Sequence, residues 1–175
     1  MSVIKGLDKL LSKMNKAPKI VHDEVVKEVR RKTLAIQKDA KRNAPTGITG
    51  DLRRSIKAEV ESDGKGVVGR VHTNQEAAMY VEFGTGPVGK GTADIVPKGV
   101  ILQYRDTPWF VNAKDFPDYD RYRFITISAG EETFILVRGQ KAQQFMNPAA
   151  QKYKETVSDD MSSSIRKRMI KELKK

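Results

Sequence analysis

Glycines at 84, 86, 89 and 91 surround a lysine at 90, and the run Gly84-Thr85-Gly86-Pro87-Val88-Gly89-Lys90-Gly91 comes within one residue of a loop that cradles nucleotide phosphates. That chemistry needs a Ser or Thr after the lysine to hold Mg²⁺, and Gly91 stands there. The flanks disagree as well. A phosphate loop follows a strand and opens a helix, whereas here a helical stretch precedes the glycines, and Gly91, Pro97 and Gly99 prevent a long helix after them. Asp115, Asp118 and Asp120 alternate with aromatic residues, and grouped carboxylates can serve acid–base work or bind calcium. This run lacks the turn glycine and closing glutamate of a calcium loop, so a solvated acidic loop is expected. His22 and His72 stand in different kinds of segment, and no serine sits in a nucleophile elbow. The absence of cysteine excludes disulfides and thiolate metal sites. No catalytic, cofactor-binding or metal-binding residue is assigned, no cofactor is expected, and the chain is read as no enzyme.

The elements around the glycines begin with Ala77-Ala78-Met79-Tyr80-Val81-Glu82-Phe83. Ala77, Tyr80, Val81 and Gly84 share the spacing of one helical face, and Gly84 and Gly86 supply the stop. This short helix is expected to be a hub between a sheet and a long glycine-rich loop. Upstream, Val3, Leu7, Leu10, Leu11 and Met14 predict a helix over residues 2–14 that ends near Ala17-Pro18. Pro18 then suits the first turn of a second helix over Lys19–Arg42, whose apolar row is Val21, Val25, Val29, Ile36 and Ala40. Asp51–Ile56 predicts a short helix with Leu52 and Ile56 four apart. Lys57–Glu61 and Val67–Thr73 predict a hairpin that turns at Ser62-Asp63-Gly64-Lys65-Gly66. Further on, Trp109-Phe110-Val111 predicts a strand, and Arg121–Ser128 with Thr133–Arg138 a second hairpin.

Pro148 opens a final helix reaching towards Lys175. Its apolar residues Tyr153, Val157, Met161, Ile165, Met169 and Leu173 are all four apart. At about 100° per residue this row swings about 200° round the helix, so one flat core cannot accept both ends. Either the helix kinks near Ser162-Ser163-Ser164, or Met169, Ile170 and Leu173 face another subunit. The second is preferred.

A chain of 175 residues fits one domain, here 1–175, with residues 1–17 as an N-terminal helical arm and 158–175 as a C-terminal helical extension. Hydrophobic residues at 38% and charged residues at 31% suit a small core with solvated or partner-covered helices. No apolar run is long enough to cross a bilayer and no secretory signal opens the chain, so no membrane partner is expected and the product should be soluble and intracellular when made. The net charge of +11 resides in the two ends, while the middle is mildly acidic. That split permits nucleic-acid contact, with Lys27, Arg30, Arg31, Lys32, Lys38, Lys41 and Arg42 on one helix. It equally permits one copy's basic helices to dock on another's acidic centre. The fold class is α+β, with a small antiparallel sheet flanked by long N-terminal and C-terminal helices.

Three separated blocks together resemble a known family. They are Ala44-Pro45-Thr46-Gly47 continuing to Thr49-Gly50-Asp51-Leu52-Arg53-Arg54-Ser55-Ile56, then Tyr80-Val81-Glu82-Phe83-Gly84-Thr85-Gly86, then Gly139–Ala149 with Phe145, Pro148 and Ala149. The family is the tailed-phage neck or tail-completion group, also called head–tail joining or tail-terminator proteins. The resemblance spans about residues 20–157. It implies a homo-oligomeric ring, a hexamer, at the head–tail junction in the virion, assembled in the host cytoplasm. Its implied partners are the tail tube protein and the head-completion or connector proteins, with transient DNA contact in the lumen. It implies a structural role without enzymatic activity. The alternative is a basic DNA-binding module. Gln144 departs from the family's proline before Phe145, which implies a less rigid approach to the last helix, and residues 87–123 match nothing in the pattern.

Overall fold

The computed structural model describes residues 7–47, 50–116 and 118–174. The expectations on Val3, on Ile48-Thr49 and at Lys175 lie outside them. The architecture is α+β, as expected, and is organised along one helix. That helix, α1 (Leu7–Asn43), runs unbroken for 37 residues, about 55 Å at 1.5 Å per residue. Pro18 lies inside it and does not separate two helices. The proline is exposed, so water can serve the Met14 carbonyl that loses its helical partner, and the long packed faces on either side outweigh one missing bond.

The short helix α2 (Asp51–Ser55) leads into β1 (Lys57–Ser62), which pairs antiparallel with β2 (Val67–His72). The turn forms where the Asp-Gly pair placed it, with Asp63 Oδ1 accepting from the amides of Lys65 and Gly66, both at 3.0 Å. These bonds hold the Asp63 carboxyl below its ordinary range. The hairpin lies on α1 at Gly69, where a side chain would collide with Thr33 and Val29. Next come α3 (Ala77–Phe83) and the one-turn α4 (Gly86–Gly89). The later strands β3 (Trp109–Asn112), β4 (Ile125–Ala129) and β5 (Glu132–Val137) form a separate sheet in the order β3-β5-β4, all antiparallel. The strands thus make two small sheets instead of one. Arg121 belongs to a 3₁₀ turn over Tyr119–Tyr122, and the second hairpin starts only at Ile125. Phe116 packs edge to face with Tyr122 and Phe124 there, which lie tilted to one another, with ring centroids 5.4–5.8 Å apart.

The C-terminal helix is two helices, α5 (Asn147–Lys154) and α6 (Val157–Leu173), interrupted at Glu155-Thr156 and not at the serines. The interruption lets both segments lie along α1. Met169 and Leu173 line a cleft between α1 and α6 with Ile20, and Ile170 and Leu173 are exposed. Lys13 Nζ donates to the Leu173 carbonyl at 2.8 Å, so the arm and the extension lie side by side.

The seam between α1 and the C-terminal helices is polar. Buried Lys32 pairs with Asp160, buried Glu28 accepts from Ser164 at 2.9 Å, and buried Asp39 accepts from Lys152 at 2.6 Å and from the Tyr153 hydroxyl at 3.0 Å. The Lys152 and Lys32 bonds hold the Asp39 and Asp160 carboxyls below their ordinary range. Burial pushes the Glu28 carboxyl up, but hydrogen bonds from Arg31 and Ser164 outweigh it and leave it lowered. The folded state therefore holds fewer protons on these groups than the unfolded chain does. Their stabilisation is complete above the ordinary carboxylate values of 3.8 and 4.5 and fades as pH falls below them. Melting temperature should thus drop as pH is lowered from 5 to 3, with less dependence in Asp39→Asn. A pH-independent melting curve would show that the seam contributes nothing.

Candidate functional site

The blocks singled out in the sequence meet at one junction. From the first block, Ala44 and Ile56 are buried and Leu52 packs against them; from the second come Val81 and the adjoining Ala78; from the third, Phe145, Met146 and Ala149. Phe145 and Ile56 are fully buried side chains. Burying each is worth about 1.5–3 kcal/mol. Pro45, Pro148 and Gly50 are half-buried, Gly50 capping α2 with a φ of 70°. The Ser55 hydroxyl donates to the Leu52 carbonyl at 2.8 Å and lies 2.5 Å from the Thr73 hydroxyl, joining α2 to the end of β2.

Glu82 is the centre of the junction. Its carboxylate is buried and accepts three backbone amides, Phe145 at 2.8 Å, Met146 at 3.0 Å and Asn147 at 2.8 Å. These are donors at the entry to α5 that no helical carbonyl can serve, and a negative charge there also suits the helix dipole. The burial of Glu82 corrects the expected face of α3. Ala78, Glu82 and Phe83 are buried, whereas Ala77 is exposed and Tyr80 is 58% exposed. A charged residue occupies the inward position because its partners are backbone amides from a distant segment, which periodicity does not register.

The glycine run closes the other side. Gly84 ends α3 with φ 77°, its amide donating to the Tyr80 carbonyl. Thr85 exchanges backbone hydrogen bonds with Gln140, and the Thr85 hydroxyl accepts from the same amide at 3.1 Å. Gly86, with φ 60°, lies against the Trp109 ring. The amides of Gly84, Val88, Gly89 and Lys90 are all donated to protein carbonyls, and Lys90 Nζ binds Asp106 at 2.6 Å. A phosphate would have to displace these bonds, so the run is a packed turn and no phosphate cradle. Gln144 differs from its expectation. Its side chain accepts from the Ile95 amide at 2.8 Å and donates to the Ile95 carbonyl at 2.5 Å, which ties the long loop to the third block. Tyr104 adds a bond to the Phe83 carbonyl at 2.7 Å.

On the basic helix face, Lys27, Arg31 and Arg42 pair with Glu24, Glu28 and Asp39 one turn away while their side chains stay largely exposed, and Lys32 is drawn inward to Asp160. His72 stands 3.6 Å from Glu59 on the exposed hairpin. Among the described residues no group of three His, Cys, Asp or Glu could hold a metal ion, and no helix is long and apolar enough to cross a membrane. The junction's chemistry is that of a structural clamp.

Residues 8–84 match the family model described as "Bacteriophage HK97-gp10, putative tail-component". The match is consistent with the tailed-phage neck and tail-completion family that the three blocks resemble, and it supports a structural role in a phage tail. No curated protein and no solved structure matches the chain.

Proposed function

We propose that the chain is a structural virion protein that assembles as a homo-oligomeric ring, a hexamer, at the junction of phage head and tail. There it completes the tail tube and joins it to the head-completion or connector proteins. The observation that carries the reading is the match over residues 8–84, which ends at Gly84 in the middle of the junction. The third block lies beyond the match, yet Glu82 binds it directly, so the matched part and the remainder share one core. The reading gains further support from the surfaces left over. A protomer of a ring needs a core of its own and apolar surface for its neighbours, and Ile170, Leu173, Phe110, Ile125 and Ile127 are all exposed. The site proposed for the family role is the junction itself, which acts by fixing the relation between α1, the hairpin and the C-terminal helices. A basic DNA-binding module is the alternative reading, and transient contact with DNA in the lumen belongs to the ring reading.

Purified protein mixed with tail tubes and imaged by negative-stain microscopy should show rings at one end of the tube. Uniform coating of DNA added to the same sample, with bare tube ends, would favour the DNA-binding alternative instead. Binding that fell steeply with salt would mark the same alternative.

A further inference from the structure

A ring closes through head-to-tail contacts, so each protomer must offer two different surfaces that fit one another. The first candidate is the β3-β5-β4 sheet. Phe110 stands opposite Leu136, which stands opposite Ile125, and the next row is Asn112, Phe134 and Ile127. Directly paired residues of antiparallel strands share a face, so these rows form one apolar surface. Phe110 is 54% exposed, Ile125 56% and Ile127 48%. The reverse face carries Ile135, fully buried, and Trp109, against which Gly86 packs. At the hairpin end of the sheet stand Glu131 and Glu132, and the 3₁₀ turn Ala113–Asp115 packs beside β5, so three carboxylates share this rim with one cation, Lys114, which pairs with Glu132 at 3.4 Å. Strand β4, Ile125-Thr126-Ile127-Ser128-Ala129, is also an edge without charge or proline, a type of edge that proteins usually guard.

The second surface is the far end of the α1–α6 pair. Leu11, Ile170 and Leu173 are exposed there. Lys13, Lys16, Arg166, Lys167, Lys171 and Lys174 lie on the same stretches of the two helices. One surface is thus apolar with an acidic rim and the other apolar with a basic rim. Each repels its own kind and attracts the other, which favours a head-to-tail contact over a two-fold one.

We propose that the α1–α6 end of one copy docks on the exposed face of the β3-β5-β4 sheet of the next copy, and that repetition of this contact builds the ring. The inference rests on the ring reading and names its interface.

The test is a charge exchange read by light scattering after size exclusion. One variant carries Lys167→Glu with Lys171→Glu, the other Asp115→Lys with Glu131→Lys. All four positions are exposed, so each variant should melt as the parent does. Each alone should remain monomeric at concentrations where the parent assembles, with at least about a tenfold loss of affinity. An equimolar mixture should assemble again, because each acidic end then meets a basic sheet and each basic end an acidic one. If either variant assembles as the parent does, or the mixture stays monomeric, this contact is wrong while the ring stands. A helix-end variant that assembles normally but no longer retains a short DNA duplex would assign that end to DNA and overturn the contact. A parent that is monomeric alone and on tail tubes would overturn the ring reading itself, and this interface with it.

Discussion

Glu82→Ala should be the most damaging single substitution in the chain. It leaves three amides at the entry to α5 without an acceptor, one of them on fully buried Phe145. Hydrogen bonds to a charged group are worth about 1.5–3 kcal/mol each, and a buried donor left unpaired forfeits its full desolvation cost, so a loss of about 4–6 kcal/mol is expected. That is a large part of the roughly 5–15 kcal/mol that holds a domain together. Glu82→Gln keeps the volume and one acceptor oxygen but turns an amide donor towards another donor, and should lose about 2–3 kcal/mol. Urea unfolding measures both. Amide exchange at residues 145–147 should accelerate most, because that segment is released first. A loss below about 1 kcal/mol for the alanine variant would show that water replaces the carboxylate at little cost.

Gly84→Val should rank next. A Cβ built there falls 2.8 Å from the Ala142 amide nitrogen, 2.8 Å from the Gln140 carbonyl oxygen and 3.0 Å from the Gly89 Cα. These are backbone atoms that cannot swing aside, and the φ of 77° adds strain for a β-branched residue. The Thr85–Gln140 bridge must open to admit the side chain, so a loss of about 3–5 kcal/mol is expected. Gly66→Ala serves as the control, since nothing lies within 4 Å of a Cβ there. Equal melting temperatures for Gly84→Val and the parent would remove the glycine turn from the account.

The parts legible in the sequence were those with local causes. The turn at Asp63-Gly64, the stop at Gly84 and the opening of α5 beside Pro148 each rest on one or two residues whose backbone preferences suffice. What was not legible depends on partners far along the chain. Glu28, Lys32 and Asp39 stand outside the apolar row read on α1, yet they are buried because α5 and α6 return more than a hundred residues later to pair with them. Pro18 read as a boundary because local sterics oppose it within a helix, and long-range packing prevailed. The interruption at Glu155-Thr156 carries neither glycine nor proline and left no signal. The two-sheet arrangement escaped notice because strand patterns do not say which strands pair.

The junction itself was half legible. The blocks drew attention to Glu82, Gly84 and Phe145, but spacing alone could not show that Glu82 holds the amides of the third block, or that Gln144 clamps Ile95. Buried carboxylates whose partners are backbone amides form a class that hydropathy patterns misplace systematically.

The role in the particle can be read directly from electron micrographs of lysates in which an early stop codon has been placed in the gene for this chain. The account predicts filled heads and unjoined tails or tails of uneven length, with joined particles restored by the parent chain and by Gly66→Ala but not by Gly84→Val. Normal joined particles in the absence of the chain would contradict it.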